Sequence, residues 1–241
     1  MEHIHCPNCL SAKVKKNGHT HHDKQNHKCK DCGRQFVLQN NHSIGALTRS
    51  LIKRNLKERL SLRAICRVFD ISLTWLQAFE HNLWQKTPKD LGITKQIAKG
   101  IKKAQIFGLQ ADEMWSFVGN KKNKKWIWVV YDPTYRLVIA YYIGGRGVSA
   151  AKKLWNKIPK NLRQCYFETD HWDAYKKIIP SDLHKTGKDL TYFIEGFNAT
   201  IRARCSRLVR KGLSFSKSEE WHNRAIGYFF WQFNLERQPY F

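Results

Sequence analysis

Two identical cysteine pairs constrain this chain more than any other feature. Cys6-Pro7-Asn8-Cys9 and Cys29-Lys30-Asp31-Cys32 repeat a C-x2-C pattern with nineteen residues between the pairs. Two intervening residues let both thiolates of a tight turn point at one ion, and two such turns complete the tetrahedron that zinc prefers. Gly18 between the pairs and Gly33 after the second supply the backbone freedom of turns. A disulfide pair is the competing arrangement, but no secretion signal accompanies the cysteines, since Met1 to Cys9 is polar. The spacing predicts a zinc ribbon over residues 1–40, with one structural zinc on Cys6, Cys9, Cys29 and Cys32. The histidines among them (His3, His5, His19, His21, His22 and His27) are left no vacancy. Cys66, Cys165 and Cys205 stand alone and read as small core residues.

Charge narrows the partner. With 43 Lys and Arg against 19 Asp and Glu, the chain of 241 residues carries +24, spread over both halves. Such an excess repels itself unless it meets a polyanion, and DNA or RNA is the obvious one. A ribosome-associated protein or a merely solvated basic surface is the blander possibility. No run of about 18 apolar residues exists to span a membrane, and no lysine-rich amphipathic helix marks a membrane surface.

After residue 40 the pattern becomes helical, and residues 41–86 read as an all-α helix-turn-helix domain. Ser61 is placed to cap one helix whose inner face is Leu62, Ile65 and Phe69. Asp70 can take the left-handed turn, Ile71 fills the corner and Ser72 caps the second helix. Leu76 and Phe79 would bury that helix, leaving Thr74, Trp75 and Gln77 toward a major groove. Residues 87–104, with Pro88, Gly92 and Gly100 among lysines, are expected to form a linker.

Residues 105–241 read as a separate α/β domain. Three β-rich stretches, 105–118, 126–132 and 137–143, are punctuated by Gly119-Asn120 and Asp132-Pro133. A helix over 148–158, a strand over 165–169 and mostly helix from Leu190 follow. This order, βββ, α, β, α, is that of the ribonuclease-H-like fold, a mixed sheet flanked by helices.

That order gives meaning to three acids. Asp112 falls near the end of the first strand, Asp170 at the end of the fourth, and Glu195 early on a later helix. Carboxylates from such places can converge on two divalent ions in phosphoryl transfer. Glu113 points to the opposite strand face from Asp112, so only one of them can join the cluster. Glu168 stands deeper in its strand. Asp132 belongs to a turn, Asp173 could cap the helix at Ala174 or support the cluster, and Glu219 and Glu220 suit a helix start near Ser216. On one helical face Glu195, Asn198 and Arg202 lie at i, i+3 and i+7. If Glu195 faces the ions, Asn198 and Arg202 face bound DNA, with Arg204, Arg207, Arg210 and Lys211 extending a basic track. The late aromatics (Phe215, Trp221, Tyr228, Phe229, Phe230, Trp231 and Phe233) read as core or dimer interface.

Four blocks carry a resemblance. They are Asp112-Glu113-Met114-Trp115, Thr169-Asp170-His171-Trp172 with Tyr175, Ile194-Glu195-Gly196-Phe197-Asn198, and Leu213-Ser214-Phe215-Ser216-Lys217-Ser218. With the cysteine pairs and the helix-turn-helix, the chain resembles transposases of the insertion sequence 1 family over nearly its whole length. It departs at Gly196-Phe197, where better-known members have Arg-His. The resemblance implies a DDE transposase in which Asp112, Asp170 and Glu195 hold magnesium, with manganese an alternative. It also implies double-stranded transposon-end and target DNA as partners, a homodimer or higher homo-oligomer, and a cytoplasmic, nucleoid-associated setting. Two other functions fit parts of the pattern. One is a catalytically silent DNA-binding regulator. The other is a recombinase with a tyrosine nucleophile, for which Tyr240, His222 and Arg224 are the candidates.

Overall fold

The computed structural model describes residues 4–20, 23–38, 44–208 and 214–237. His3, His21, His22, Arg210, Lys211, Leu213 and Tyr240 lie outside the described residues. The chain divides into two compact units, 1–50 and 51–241.

In the first unit, β1 (Val14–His19), β2 (Gln25–Cys29) and β3 (Gln35–Val37) form an antiparallel sheet in that order. So short a sheet has little apolar surface, and His27 stacked on Phe36 at 5.7 Å supplies part of it. A unit this small has little core of its own, and the buried Cys6 and Cys29 form part of it. Gly33, at φ 72°, turns the chain after the second pair, and its N–H donates to the Cys29 carbonyl at 3.1 Å. Helix α1 (Ala46–Asn55) spans the division between the units.

The second unit opens with α2 (Leu62–Phe69) and α3 (Leu73–Gln85). Both start on a serine: Ser61 Oγ accepts from Ala64 N–H and Ser72 Oγ from Trp75 N–H, each at 3.1 Å. Asp70 takes the left-handed conformation between them, at φ 48°. Trp84 near the end of α3 is buried with its ring 4.8 Å from that of Trp221. Both helices fall within the 51–241 unit.

The expected linker is also corrected. Residues Lys95–Lys103 form α4, capped by Thr94, and Ala98 and Ile101 are buried in the main core. Burial of that apolar edge outweighs the cost of Gly100 inside the helix.

The central sheet has five strands in the order β6-β5-β4-β7-β8. β4 (Leu109–Val118), β5 (Asn120–Asp132) and β6 (Leu137–Gly144) form an antiparallel meander. β7 (Phe167–Thr169) and β8 (His184–Thr186) lie parallel to β4. β5 starts six residues earlier than expected, because Gly119 at φ 74° makes a tight turn and the lysine run 121–125 continues the ladder. β8 has no counterpart in the sequence reading.

Alternation along β4 and β5 splits the core into two layers. On one face Ala111, Trp128 and Val130 pack with Ala98, Ile101 and with Ala151 and Leu154 of α5 (Val148–Lys157). On the other, Met114, Ile127 and Val129 pack under Ile194, Phe197 and Ile201 of α7 (Tyr192–Arg204), together with Phe229, Phe230 and Phe233 of α8 (Glu219–Leu235). The short helix α6 (Asp173–Lys176) follows β7. Phe229, Phe230 and Phe233 are thus core. Cys165 and Cys205 are buried and Cys66 is partly so.

One carboxylate sits badly. Glu80 on α3 is 3% exposed, its Oε2 has no hydrogen-bond partner, and it lines a small cavity with Trp84, Arg207, Tyr228 and Phe229. Burial pushes its pKa up to about 7, against the opposing pull of the Arg207 charge. No described helix is long and apolar enough to cross a membrane.

Candidate active site

The cysteine cluster assembles as the spacing predicts. Sγ of Cys6 lies 3.5 Å from Sγ of Cys32, and Cys9 lies 3.6 Å from Cys29. All four sulfurs fall within 4.8 Å of one another, and no other group of three or more such ligands among the described residues does so. The Arg34 backbone N–H draws Cys32 down to about 6. The Ser11 backbone N–H favours the Cys9 thiolate too, yet Cys32 beside it leaves Cys9 up at about 12. Four converging sulfurs match the ligand set of a structural metal.

The three acids come from β4, the turn after β7 and the first turn of α7. Ala111 pairs with Thr169 across the parallel β4–β7 ladder, so Asp112 and Asp170 leave neighbouring strands at the same level. Asp112 faces α7, where Asn198 Nδ2 donates to its Oδ2 at 2.6 Å. Trp172 N–H donates to Asp170 Oδ1 at 3.0 Å, and Thr191 Oγ1 donates to Glu195 Oε1 at 2.9 Å. Burial pushes Asp112 up to about 7, and the charges of Glu113, Asp170 and Glu195 add to the rise. Glu195 and Asp170 thus stand close enough to act on Asp112. The three acids are thus drawn from three separate elements, and carboxylate oxygens are the donors that hard divalent cations take. Asn198 fits that donor set, being 7% exposed with an Oδ1 that has no hydrogen-bond partner.

Asn198, expected to face bound DNA, lies one helical turn from Glu195 and is bonded to Asp112. Arg202 is half-buried. Arg204 leaves the expected basic track, because it is held by Glu58 at 3.0 Å and Glu236 at 3.3 Å. On α3, Thr74 and Gln77 are exposed, while Trp75 is partly buried and stacks on Phe79 at 4.9 Å.

Glu113 does face the other side, as alternation requires, but it is far from idle. Arg146 donates through both Nε and Nη2 to its Oε1 at 3.0 Å, and Tyr175 Oη donates to its Oε2 at 2.9 Å. The guanidinium lies between the rings of Trp126 and Trp172, 4.2 Å from each. Because Trp172 also binds Asp170 through its backbone, this stack braces the turn that carries the second acid. Gln110, two residues before Asp112 on the same face, accepts from Ile194 N–H at 2.8 Å and fixes the start of α7. Sequence reasoning missed Gln110, Arg146 and Thr191. Only the shared face of Gln110 and Asp112 was open to a period-two reading.

The remaining acids take structural places. Asp132 is fully buried and accepts from Thr134 and Tyr135 N–H in its turn. Glu168 accepts from Gly108 N–H and Gln110, and Asp173 pairs with Lys176. His222, a candidate for the tyrosine-nucleophile alternative, is fully buried with its ring nitrogens bonded to Ser116 and Ser216. Burial holds its pKa down at about 4. Arg224 engages Glu220 and His81.

Residues 105–235, the sheet and all three acids included, match the family described as IS1 transposase. The protein InsB of insertion element iso-IS1n from Shigella dysenteriae is 39% identical over 121 residues, 50% of this chain and 91% of that protein. InsB of insertion element IS1 from Shigella flexneri is 34% identical over 120 residues, with the same coverage. InsB of IS1 4 from Escherichia coli K12 is 33% identical over 120 residues, 71% of its length. The chain belongs to the IS1 transposase family.

Proposed function

We propose that the protein is a DDE transposase that binds the terminal inverted repeats of its insertion element, cuts the element's 3′ ends and joins them to target DNA. What supports this reading is the Asp112 carboxylate, bonded by Asn198 of α7 and acted on by the charges of Asp170 and Glu195 from two further elements. The 105–241 segment is read as ribonuclease-H-like, consistent with the mixed five-stranded sheet between helical layers. Asp112, Asp170 and Glu195 would hold two magnesium or manganese ions. Bound there, such ions would polarise the scissile phosphate and neutralise charge developing on its oxygens. The chain's own part is to fix the acids: Asn198 of α7 at Asp112, Gln110 of β4 at the start of α7, Trp172 and Arg146 at Asp170, and Thr191 at Glu195. The reaction class is hydrolysis of a phosphodiester at each 3′ end, then direct transesterification by the freed 3′-hydroxyl, with no covalent enzyme intermediate.

The N-terminal cysteines would hold one structural zinc. The α2–α3 pair is read as a DNA-binding helix-turn-helix, with Thr74, Trp75 and Gln77 toward the major groove and Arg202 near the bound end. Two ends must be joined together, which calls for a homodimer or larger assembly on cytoplasmic, nucleoid DNA. The deciding experiment is strand transfer into supercoiled plasmid from the element's own ends, with and without magnesium. Asp112→Asn, Asp170→Asn and Glu195→Gln should each abolish cleavage while end binding survives. Full activity of Glu195→Gln would overturn the mechanism. Protein covalently trapped on DNA would favour the tyrosine-nucleophile reading, and end binding with no cleavage by the wild type the silent regulator.

A further inference from the structure

We infer that Asn198 is itself an oxygen ligand for a divalent cation at the Asp112 carboxylate, through its side-chain Oδ1. The inference deepens the proposed function and rests on its reading of the carboxylate cluster.

A carboxylate kept ionised by a bound cation can only accept hydrogen bonds, so an amide beside it presents its NH2 group there. That is the arrangement found, with Nδ2 2.6 Å from Asp112 Oδ2. The carbonyl oxygen of the same amide is buried beside this contact with no hydrogen-bond partner. A buried carbonyl left in that state is costly, and native proteins rarely tolerate it without a role. The group it is bonded to points to the partner it lacks. Glu195 sits one helical turn earlier on α7, and the charges of Glu113, Asp170 and Glu195 all raise the Asp112 pKa. A cation is what draws several such oxygens to one place. Magnesium and manganese take neutral amide oxygens beside carboxylates. Asn198 thus does two jobs with one amide: its NH2 orients Asp112 and its carbonyl completes the ring of oxygens.

The test uses the full-length, zinc-loaded protein without DNA, and reads Mn2+ binding by electron paramagnetic resonance and by titration calorimetry. Wild type should bind Mn2+, and Asp112→Asn should abolish that binding. Asn198→Ala should weaken it tenfold or more, with zinc content and circular dichroism unchanged. If that variant does not fold, Asn198→Ser carries the same expectation, since it keeps a hydroxyl for Asp112 but withdraws the carbonyl. Asn198→Asp separates a ligand from a mere orienting residue. A ligand role predicts Mn2+ binding at least as tight as wild type and a larger Mn2+-induced rise in Tm, because the ion relieves the repulsion with Asp112. An orienting role predicts weakened binding, as in Asn198→Ala, and would overturn the inference. So would wild-type affinity in Asn198→Ala. If Asp112→Asn binds Mn2+ as wild type does, the carboxylate reading itself has failed.

Discussion

Replacing Glu80 with glutamine should make the protein more stable at pH 8 and leave it nearly unchanged at pH 4. The carboxyl sits 3% exposed beside Trp84 and Tyr228, with Oε2 unpartnered, and burial raises its pKa from 4.5 to about 7. A raised carboxylate pKa means that the folded state holds the proton more tightly than the unfolded state does. Folding stability must therefore fall as pH rises from about 4.5 to about 7, and stay low above that window. At 1.36 kcal/mol per tenfold change in proton affinity, the rise corresponds to about 3 kcal/mol lost between pH 4 and pH 8. A glutamine side chain cannot ionise and keeps the shape, so the Glu80→Gln variant should lack this segment of the pH profile. Urea denaturation at half-unit steps from pH 4 to 8 would measure it, followed by tryptophan fluorescence because Trp84 reports on the same cavity. Parallel profiles for wild type and variant would refute the reasoning, and would mean that Arg207 or an entering water compensates Glu80 fully.

The sequence pattern marks Glu113→Gln as a silent control, but its links to Arg146 and Tyr175 change that expectation. It should cost about 1–3 kcal/mol in urea denaturation, since Arg146 loses its charged partner, and an unchanged midpoint would show the brace to be slack. Arg146→Lys should lower strand transfer and shift tryptophan emission, because a lysine cannot fill the space between Trp126 and Trp172 and bond Glu113 twice. Cys29→Ser should release zinc, detectable by metal analysis, while the 51–241 unit keeps its circular dichroism. Thr74→Ala with Gln77→Ala should reduce preference for element ends over random DNA by about 1–3 kcal/mol per lost base contact, read by competition binding. Equal weakening on both DNAs would misplace the recognition helix.

What could be read from the chain alone was whatever neighbours in sequence decide. Ser61, Asp70 and Ser72 act within a turn of themselves, so the caps and the left-handed corner were visible before any packing. The meander of β4, β5 and β6 was visible for the same reason, with turn residues at its corners. Helix α4 was hidden because lysines surround Ile97, Ala98 and Ile101, and only the core of the sheet makes that stripe worth burying. β8 is three residues, His184 to Thr186, whose pairing with β7 has no apolar signature. At the candidate site the acids could be chosen from strand ends and alternation, but their supports could not. Asn198 meets Asp112 across 86 positions and Gln110 meets Ile194 across 84. Helical spacing correctly grouped Asn198 with Glu195, yet could not say that this face turns inward.

The adjacent acids Asp112 and Glu113 show what a pleated strand does with charge. β4 acts as a partition from which two carboxylates, neighbours in the chain, enter differently furnished compartments. On one side Glu113 is neutralised by Arg146 and closed over by tryptophan rings. On the other, Asp112 lies among acids, with the charges of Asp170 and Glu195 raising its pKa. Sliding β4 by a single residue against β7 would exchange the two, placing the satisfied acid in the open compartment and the unsatisfied one under the rings. A one-residue insertion between Leu109 and Asp112 is therefore a harsher lesion than loss of either carboxylate, because it would wreck the brace and the cluster in one step.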